Sequence, residues 1–192
     1  MIIGVTGGIG SGKSTVLRAV ARQGYPVYDC DTEAKRLIVE DPTVRKQLAE
    51  LFGPEVYNNG VYQTQLVAAQ VFADPGKLAR LNAIVHPAVT EDIRRWAADK
   101  DLAFIESAIL VSSGMNSLCD VLVAVTAPEA VRVQRVLHRA AEQGKPTTEA
   151  EVRARIRSQQ AESGHPMHEI NNDGTTPIDT LAQQLIHFAQ SL

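Results

Sequence analysis

The stretch Gly4-Val5-Thr6-Gly7-Gly8-Ile9-Gly10-Ser11-Gly12-Lys13-Ser14-Thr15 stands almost at the start of the chain and decides how the rest is read. Met1 to Thr6 is an apolar run, too short for a helix and ended by glycines, which predicts a buried strand. Val16, Leu17 and Val20 then offer an apolar face at helical spacing. Between strand and helix the spacing is Gly-x-x-x-x-Gly-Lys-Ser, from Gly7 to Ser14. Glycines let the backbone turn through conformations closed to other residues, and let its N–H groups approach a polyphosphate. The helix start adds orphan donors and a favourable dipole. Lys13 supplies a mobile charge for the outer phosphates, and Ser14 a hydroxyl for a magnesium ion. A glycine-rich surface turn with an incidental Lys-Ser would not need the strand before it and the helix after it. The stretch therefore reads as a phosphate-binding loop for a nucleotide, with Gly8, Ile9, Gly10, Ser11, Gly12, Lys13, Ser14 and Thr15 as its contacts.

The whole chain limits what that nucleotide serves. Its 192 residues suffice for one good core with room for insertions. The net charge of -3 gives no global basic field, so nucleic acid is not an expected partner. Cys30 and Cys119 show no metal-ligand spacing and would stay reduced in an intracellular chain. The chain opens directly on its first strand, so no signal peptide is expected. No apolar run approaches membrane-spanning length. The expectation is a cytoplasmic protein, a monomer or weak homo-oligomer, with no membrane partner.

Along the chain, Tyr25-Pro26-Val27-Tyr28-Asp29 reads as a second strand, followed by a helical pattern at Ala34, Leu37 and Ile38. Asp41-Pro42 is a helix-start signal. Residues 42 to 100 read as consecutive helices without a clear strand, with a boundary expected at His86-Pro87. Strands return at Leu102–Ile105, ending in Glu106, and at Val121–Val125. A helix opens at Thr126-Ala127-Pro128-Glu129, residues 140–148 read as a mobile loop, and Thr148 to Ala161 as another helix. A last strand is expected near Ile170 and a last helix from Thr176-Pro177. Strands separated by helices predict an α/β fold with a mainly parallel sheet, whose ligands gather beyond the carboxyl ends of the strands. Gly7–Ser14, Asp29–Asp31 and Glu106 should all lie on that edge.

Several side chains there could carry chemistry. Asp31 could accept or orient the proton of an attacking hydroxyl. Equally, Asp29 and Asp31 could cap the following helix, and the two are expected to split these jobs. Glu106 could act through a water on magnesium, contact the substrate, or be an ordinary solvated acid at a strand end. Arg135 and Arg139 are four apart on one helix face and lead into the 140–148 loop. They suit phosphate oxygens and resemble a lid that closes over ATP, but a solvated basic face including Arg132 would look the same. His86 alone is more often a packing or capping residue than a ligand.

The assembled pattern resembles the dephospho-coenzyme A kinase family over nearly the whole chain. The glycine-rich opening matches, including its double glycine, as does Asp29-Cys30-Asp31 with Ala34 and Lys35 where the family has Ala-Arg. Val71-Phe72 and Leu81-Asn82-Ala83-Ile84-Val85-His86-Pro87 form the most family-specific stretch. Glu106-Ser107-Ala108-Ile109-Leu110 stands where the family has Asp-x-Pro-Leu-Leu. Arg135 and Arg139 match its lid arginines, Arg155, Ile156 and Gln159 its following helix, and Asn172-Asp173-Gly174 its late Asn-x-Gly. The resemblance implies a P-loop nucleoside-triphosphate hydrolase fold and transfer of the ATP γ-phosphate to the ribose 3′-hydroxyl of dephospho-CoA, with Mg2+. It implies Asp31 as catalytic base, with Lys13 and Arg139 catalytic beside it, and Arg135 and Arg139 on ATP. Asp31, Lys35, His86 and Glu106 would meet the acceptor, and Ser14 the metal. It implies a core of 1–41, 101–138 and 166–192, a helical acceptor-binding insertion at about 42–100 and a lid at about 139–165. Three positions depart from the pattern. Val111-Ser112-Ser113 replaces a common glutamate, Thr64 or Gln65 an arginine, and no acid precedes the late Asn-x-Gly near Met167-His168.

Two rival classes remain in view. A kinase for a nucleoside monophosphate or a sugar acid would not need the Leu81–Pro87 segment. A nucleotide switch for guanine would carry Asn-Lys-x-Asp, and this chain has no such string.

Overall fold

The computed structural model describes residues 1–159 and 167–192. The expected helix end at Ala161, the end of the expected lid and the first residue of the 166–192 segment lie outside the described residues. The chain forms two compact units, Met1–Tyr28 with Asp99–Leu192, and Asp29–Ala98.

The first unit is built on a five-stranded sheet. Strand β1 (Ile2–Thr6) leads through the glycine loop to helix α1 (Lys13–Arg22), then to β2 (Val27–Asp29). The sheet is completed by three strands that follow the second unit in sequence, β5 (Ala103–Glu106), β6 (Val121–Thr126) and β7 (His168–Asn171), and has the order β2-β5-β1-β6-β7. β1 therefore lies in the middle, which explains its fully apolar run: both faces are covered. Ile3, Val5, Val16, Leu17 and Val20 join one core with residues of the last helix.

The second unit holds α2 (Cys30–Glu40), α3 (Pro42–Phe52), a 3-10 turn (Pro54–Val56), β3 (Tyr57–Asn58), β4 (Val61–Tyr62), α4 (Thr64–Ala73) and α5 (Pro75–Ala97). Asp41 caps α3 as its sequence predicts, accepting from the N–H of Thr43 (2.8 Å) and Val44 (2.9 Å). Val44, Leu48, Phe52, Val56 and Val67 form the core. Two expectations are corrected here. The helical stretch contains a small antiparallel hairpin, Tyr57 opposite Tyr62, turned by Asn59 and Gly60 with φ of 49° and 79°. An Asn-Gly pair is the residue choice for such a turn. Pro87 does not end a helix; it sits inside α5. A proline there forfeits one backbone hydrogen bond, yet Val85, Val89 and Ile93 are all buried at four-residue spacing. That continuous apolar stripe carries the helix through the proline.

The chain then returns to the first unit with β5 (Ala103–Glu106), a 3-10 turn (Met115–Leu118), β6 (Val121–Thr126), α6 (Glu129–Glu142), α7 (Glu149–Ser158), β7 (His168–Asn171) and α8 (Ile178–Gln190). β5 and β6 flank β1 in parallel, and β7 pairs parallel with β6. The register sets Val5 beside Glu106 and Thr126 beside Asn171, so the ends of four strands share one edge. Helix α6 runs through Glu142, leaving a connector of residues 143–148, shorter than expected. Thr148 and Glu151 then form a reciprocal capping box on α7.

Candidate active site

The glycine loop leaves β1 at the carboxyl edge of the sheet, as its sequence requires. Gly12 caps α1 at φ 87°, and Gly10 stands at φ 79°, both in the left-handed region. Glycine is required here for room as well as for φ. A Cβ on Gly7 would lie 2.5 Å from the Val125 carbonyl oxygen, and one on Gly10 2.6 Å from that of Arg132.

Lys13 and Ser14, the first residues of α1, converge on Glu106 at the end of β5. Lys13 Nζ lies 2.5 Å from Glu106 Oε1, and Ser14 Oγ donates to the same oxygen. Glu106 is only 6% exposed, so it is not a solvated acid at a strand end. Burial makes the neighbouring ammonium a requirement, because an unpaired carboxylate in such a place is costly. The Ser14 hydroxyl and the Glu106 carboxylate are hard oxygen donors, the kind a magnesium ion takes while keeping waters and phosphate oxygens. Among the described residues no cluster of three His, Cys, Asp or Glu side chains offers a further metal site. Burial, aided by Asp120, pushes the Cys119 thiol up to about 12, so this cysteine is inert.

The two arginines of α6 stand differently. Arg135 is half-buried and donates to the Ser11 carbonyl (3.1 Å) and to Asn172 Oδ1 (3.0 Å). Arg139, one turn on, is exposed. Three further side chains hold the loop. Arg132 Nε donates to the Ile9 carbonyl (2.7 Å), Gln159 Oε1 accepts from the Ile9 N–H (2.8 Å), and Asn172 Nδ2 donates to the Ser11 carbonyl (2.8 Å). In the sequence Arg132 is one arginine among many. Its spacing of three from Arg135, which puts both on one face of α6, was the available signal. Gln159 and Asn172 carried no local signal beyond the resemblance.

In the second unit, Asp29 takes the capping job. Its carboxylate accepts from the N–H of Asp31 (3.0 Å) and Thr32 (3.2 Å). The Asp31 carboxylate itself takes no part in the cap and is exposed in the first turn of α2; Lys35 is exposed on the same face, four residues on. Arg36 ties α2 to α5 through Asp92 at 2.6 Å. His86 lies partly buried in α5, and burial lowers its pKa from the ordinary 6.5, keeping the ring neutral near pH 7. The structure thus gathers Lys13, Ser14, Glu106 and Arg135 around the loop in one unit, and places Asp31, Lys35 and His86 in the other.

Comparison with known proteins agrees with this build. The sequence profile described as dephospho-CoA kinase matches residues 1–176. A dephospho-CoA kinase of Porphyromonas gingivalis is 47% identical over 139 residues, 71% of this chain and 69% of that protein. One of Bacteroides fragilis is 38% identical over 192 residues, 97% of this chain and 91% of that protein. A solved structure from Thermus thermophilus is 32% identical and superposes with a TM-score of 0.79, covering 100% of this chain and 97% of that one. Loop, sheet order and sequence agree: the chain belongs to the dephospho-CoA kinase family, the ATP-using kinases of the last step of coenzyme A synthesis.

Proposed function

We propose that this chain transfers the γ-phosphoryl group of ATP to the ribose 3′-hydroxyl of dephospho-CoA, giving coenzyme A and ADP. The observation that carries the reading is the meeting of Lys13, Ser14 and Glu106 at the glycine loop, in a chain of this family. Backbone N–H groups from Gly8 to Thr15 and the start of α1 hold the phosphates. Lys13 neutralises their outer oxygens, with Arg139 and Arg135 supporting from α6. Ser14, with Glu106 behind it, would hold a magnesium ion, which when bound neutralises charge on the transferring group. The Asp31 carboxylate orients the acceptor hydroxyl and accepts its proton as the new O–P bond forms and the bond to the leaving ADP breaks. Lys35, neutral His86 and Glu106 serve acceptor binding. The helical segment at about 42–100 is the acceptor-binding insertion, and the lid spans about 139–165, of which residues to 159 are described.

Among the described residues no helix is long and apolar enough to cross a membrane. We place the enzyme in the cytoplasm, as a monomer or weak homo-oligomer acting on small molecules and not on nucleic acid. The test of the residue roles is a split between binding and transfer. Asp31→Asn should bind ATP as the parent does and lose about 10²–10⁴-fold in transfer, while Lys13→Ala abolishes transfer. Full activity in Asp31→Asn would remove it as the base.

A further inference from the structure

A phosphate loop works only if its backbone is set before the ligand arrives. Glycines make the required turns possible but do not choose them. In this chain the side chains of Arg132, Arg135 and Asn172 bond the loop's own carbonyls, and Asn172 is the most buried of them. It is 1% exposed, directly after β7, with its backbone N–H on the Thr126 carbonyl (2.8 Å), so it is fixed to the sheet. Both ends of its amide are used. Nδ2 donates to the Ser11 carbonyl (2.8 Å), and Oδ1 accepts from Arg135 Nη2 (3.0 Å). The first partner can only accept and the second can only donate, so the amide has one workable orientation. Arg135 closes the triangle by donating to the Ser11 carbonyl as well (3.1 Å). Contact with the loop is tight: a Cβ on Gly12 would lie 2.2 Å from Asn172 Nδ2.

We propose that Asn172 is a positioning residue for phosphate binding. It fixes the Ser11 carbonyl and aims Arg135, so that the loop between them is preset for a polyphosphate. This rests on the phosphate-binding reading of the loop. Aspartate would fill the same space and keep Arg135 but present an acceptor to the Ser11 carbonyl; serine would lose the reach to both.

The test is calorimetric titration of ATP and of inorganic tripolyphosphate into the parent chain, Asn172→Asp and Asn172→Ser, with melting curves and steady-state kinetics beside it. The two probes share the phosphates and differ in the nucleoside. Both should weaken by the same factor in Asn172→Asp, about tenfold to a hundredfold, with KM for ATP rising and KM for dephospho-CoA unchanged. Asn172→Ser gives the same readout should the buried carboxylate impair folding. Loss of ATP affinity with tripolyphosphate unchanged would overturn the proposal and assign Asn172 to the nucleoside. A lowered melting temperature with both affinities retained would overturn it in favour of a packing role. Failure of the parent chain to bind either probe would instead overturn the phosphate-site reading, and the proposal with it.

Discussion

Replacing Lys13 with methionine separates two things this residue does. Its ammonium faces Glu106 Oε1 at 2.5 Å, with the two side chains only 12% and 8% exposed. Methionine fills most of the lysine's volume and removes the charge, leaving the buried carboxylate with the Ser14 hydroxyl alone. Removing one partner of a buried ion pair costs about 3–5 kcal/mol, and the remaining hydroxyl argues for the lower end. For a chain of this size that is a fall in melting temperature of about 6–12 °C. The assay is thermal and urea unfolding of the parent chain, Lys13→Met, Glu106→Gln and the double variant. The double variant removes both charges and should recover at least about half of the loss, because no buried charge is left unpaired. None of the variants carrying Lys13→Met should transfer phosphate. A Lys13→Met protein melting within a degree or so of the parent, or a double variant whose loss is the sum of the singles, would refute the view that this pair meets across a dry site.

Arg139→Ala should lower kcat and leave the melting temperature in place, since exposed positions tolerate truncation to within about 0.5 kcal/mol; an unchanged rate with a lower melting temperature would return Arg139 to a structural role. Gly4→Ala should destabilise by about 1–3 kcal/mol without altering KM for ATP, because the new Cβ would lie 2.5 Å from Cys119 Sγ and 2.8 Å from Leu122 Cδ2; denaturant curves that coincide would contradict it. Burial lowers the His86 pKa from 6.5, so below that pH the unfolded chain takes up a proton that folded His86 refuses. Its contribution is intact above pH 6.5 and is lost as pH falls from there toward the depressed folded value. His86→Gln should therefore show a shallower loss of stability between about pH 7 and 5.5 than the parent; parallel curves would contradict the assignment.

Much of the sheet and of the loop was legible because the signals are local. Gly7 to Ser14 has a fixed spacing, and Val121–Val125 is an unbroken apolar run that only a covered strand explains. The division between Asp29 and Asp31 was half legible: two carboxylates at the start of a helix announce a cap, but which one takes it depends on backbone geometry at Asp29. The hairpin at Tyr57–Tyr62 escaped because two residues per strand are too few to show alternation, although Asn59-Gly60 marked its turn. Pro87 misled because a local rule lost to a longer one, the stripe Val85–Val89–Ile93. The bonds from Arg132, Gln159 and Asn172 to the loop join residues 123, 150 and 161 positions apart. No periodicity or spacing encodes such contacts; they appear only when β6, β7, α6 and α7 close around the loop.

What this chain does turns on the identity of its acceptor. The direct measurement is an initial-rate experiment with ATP, magnesium and dephospho-CoA, following ADP and coenzyme A together and omitting the acceptor as control. For a dephospho-CoA kinase, ADP release should depend on the acceptor and be matched one for one by coenzyme A carrying its new phosphate on the ribose 3′-oxygen. ADP without coenzyme A, or no ADP at all from a chain that binds ATP, would contradict it.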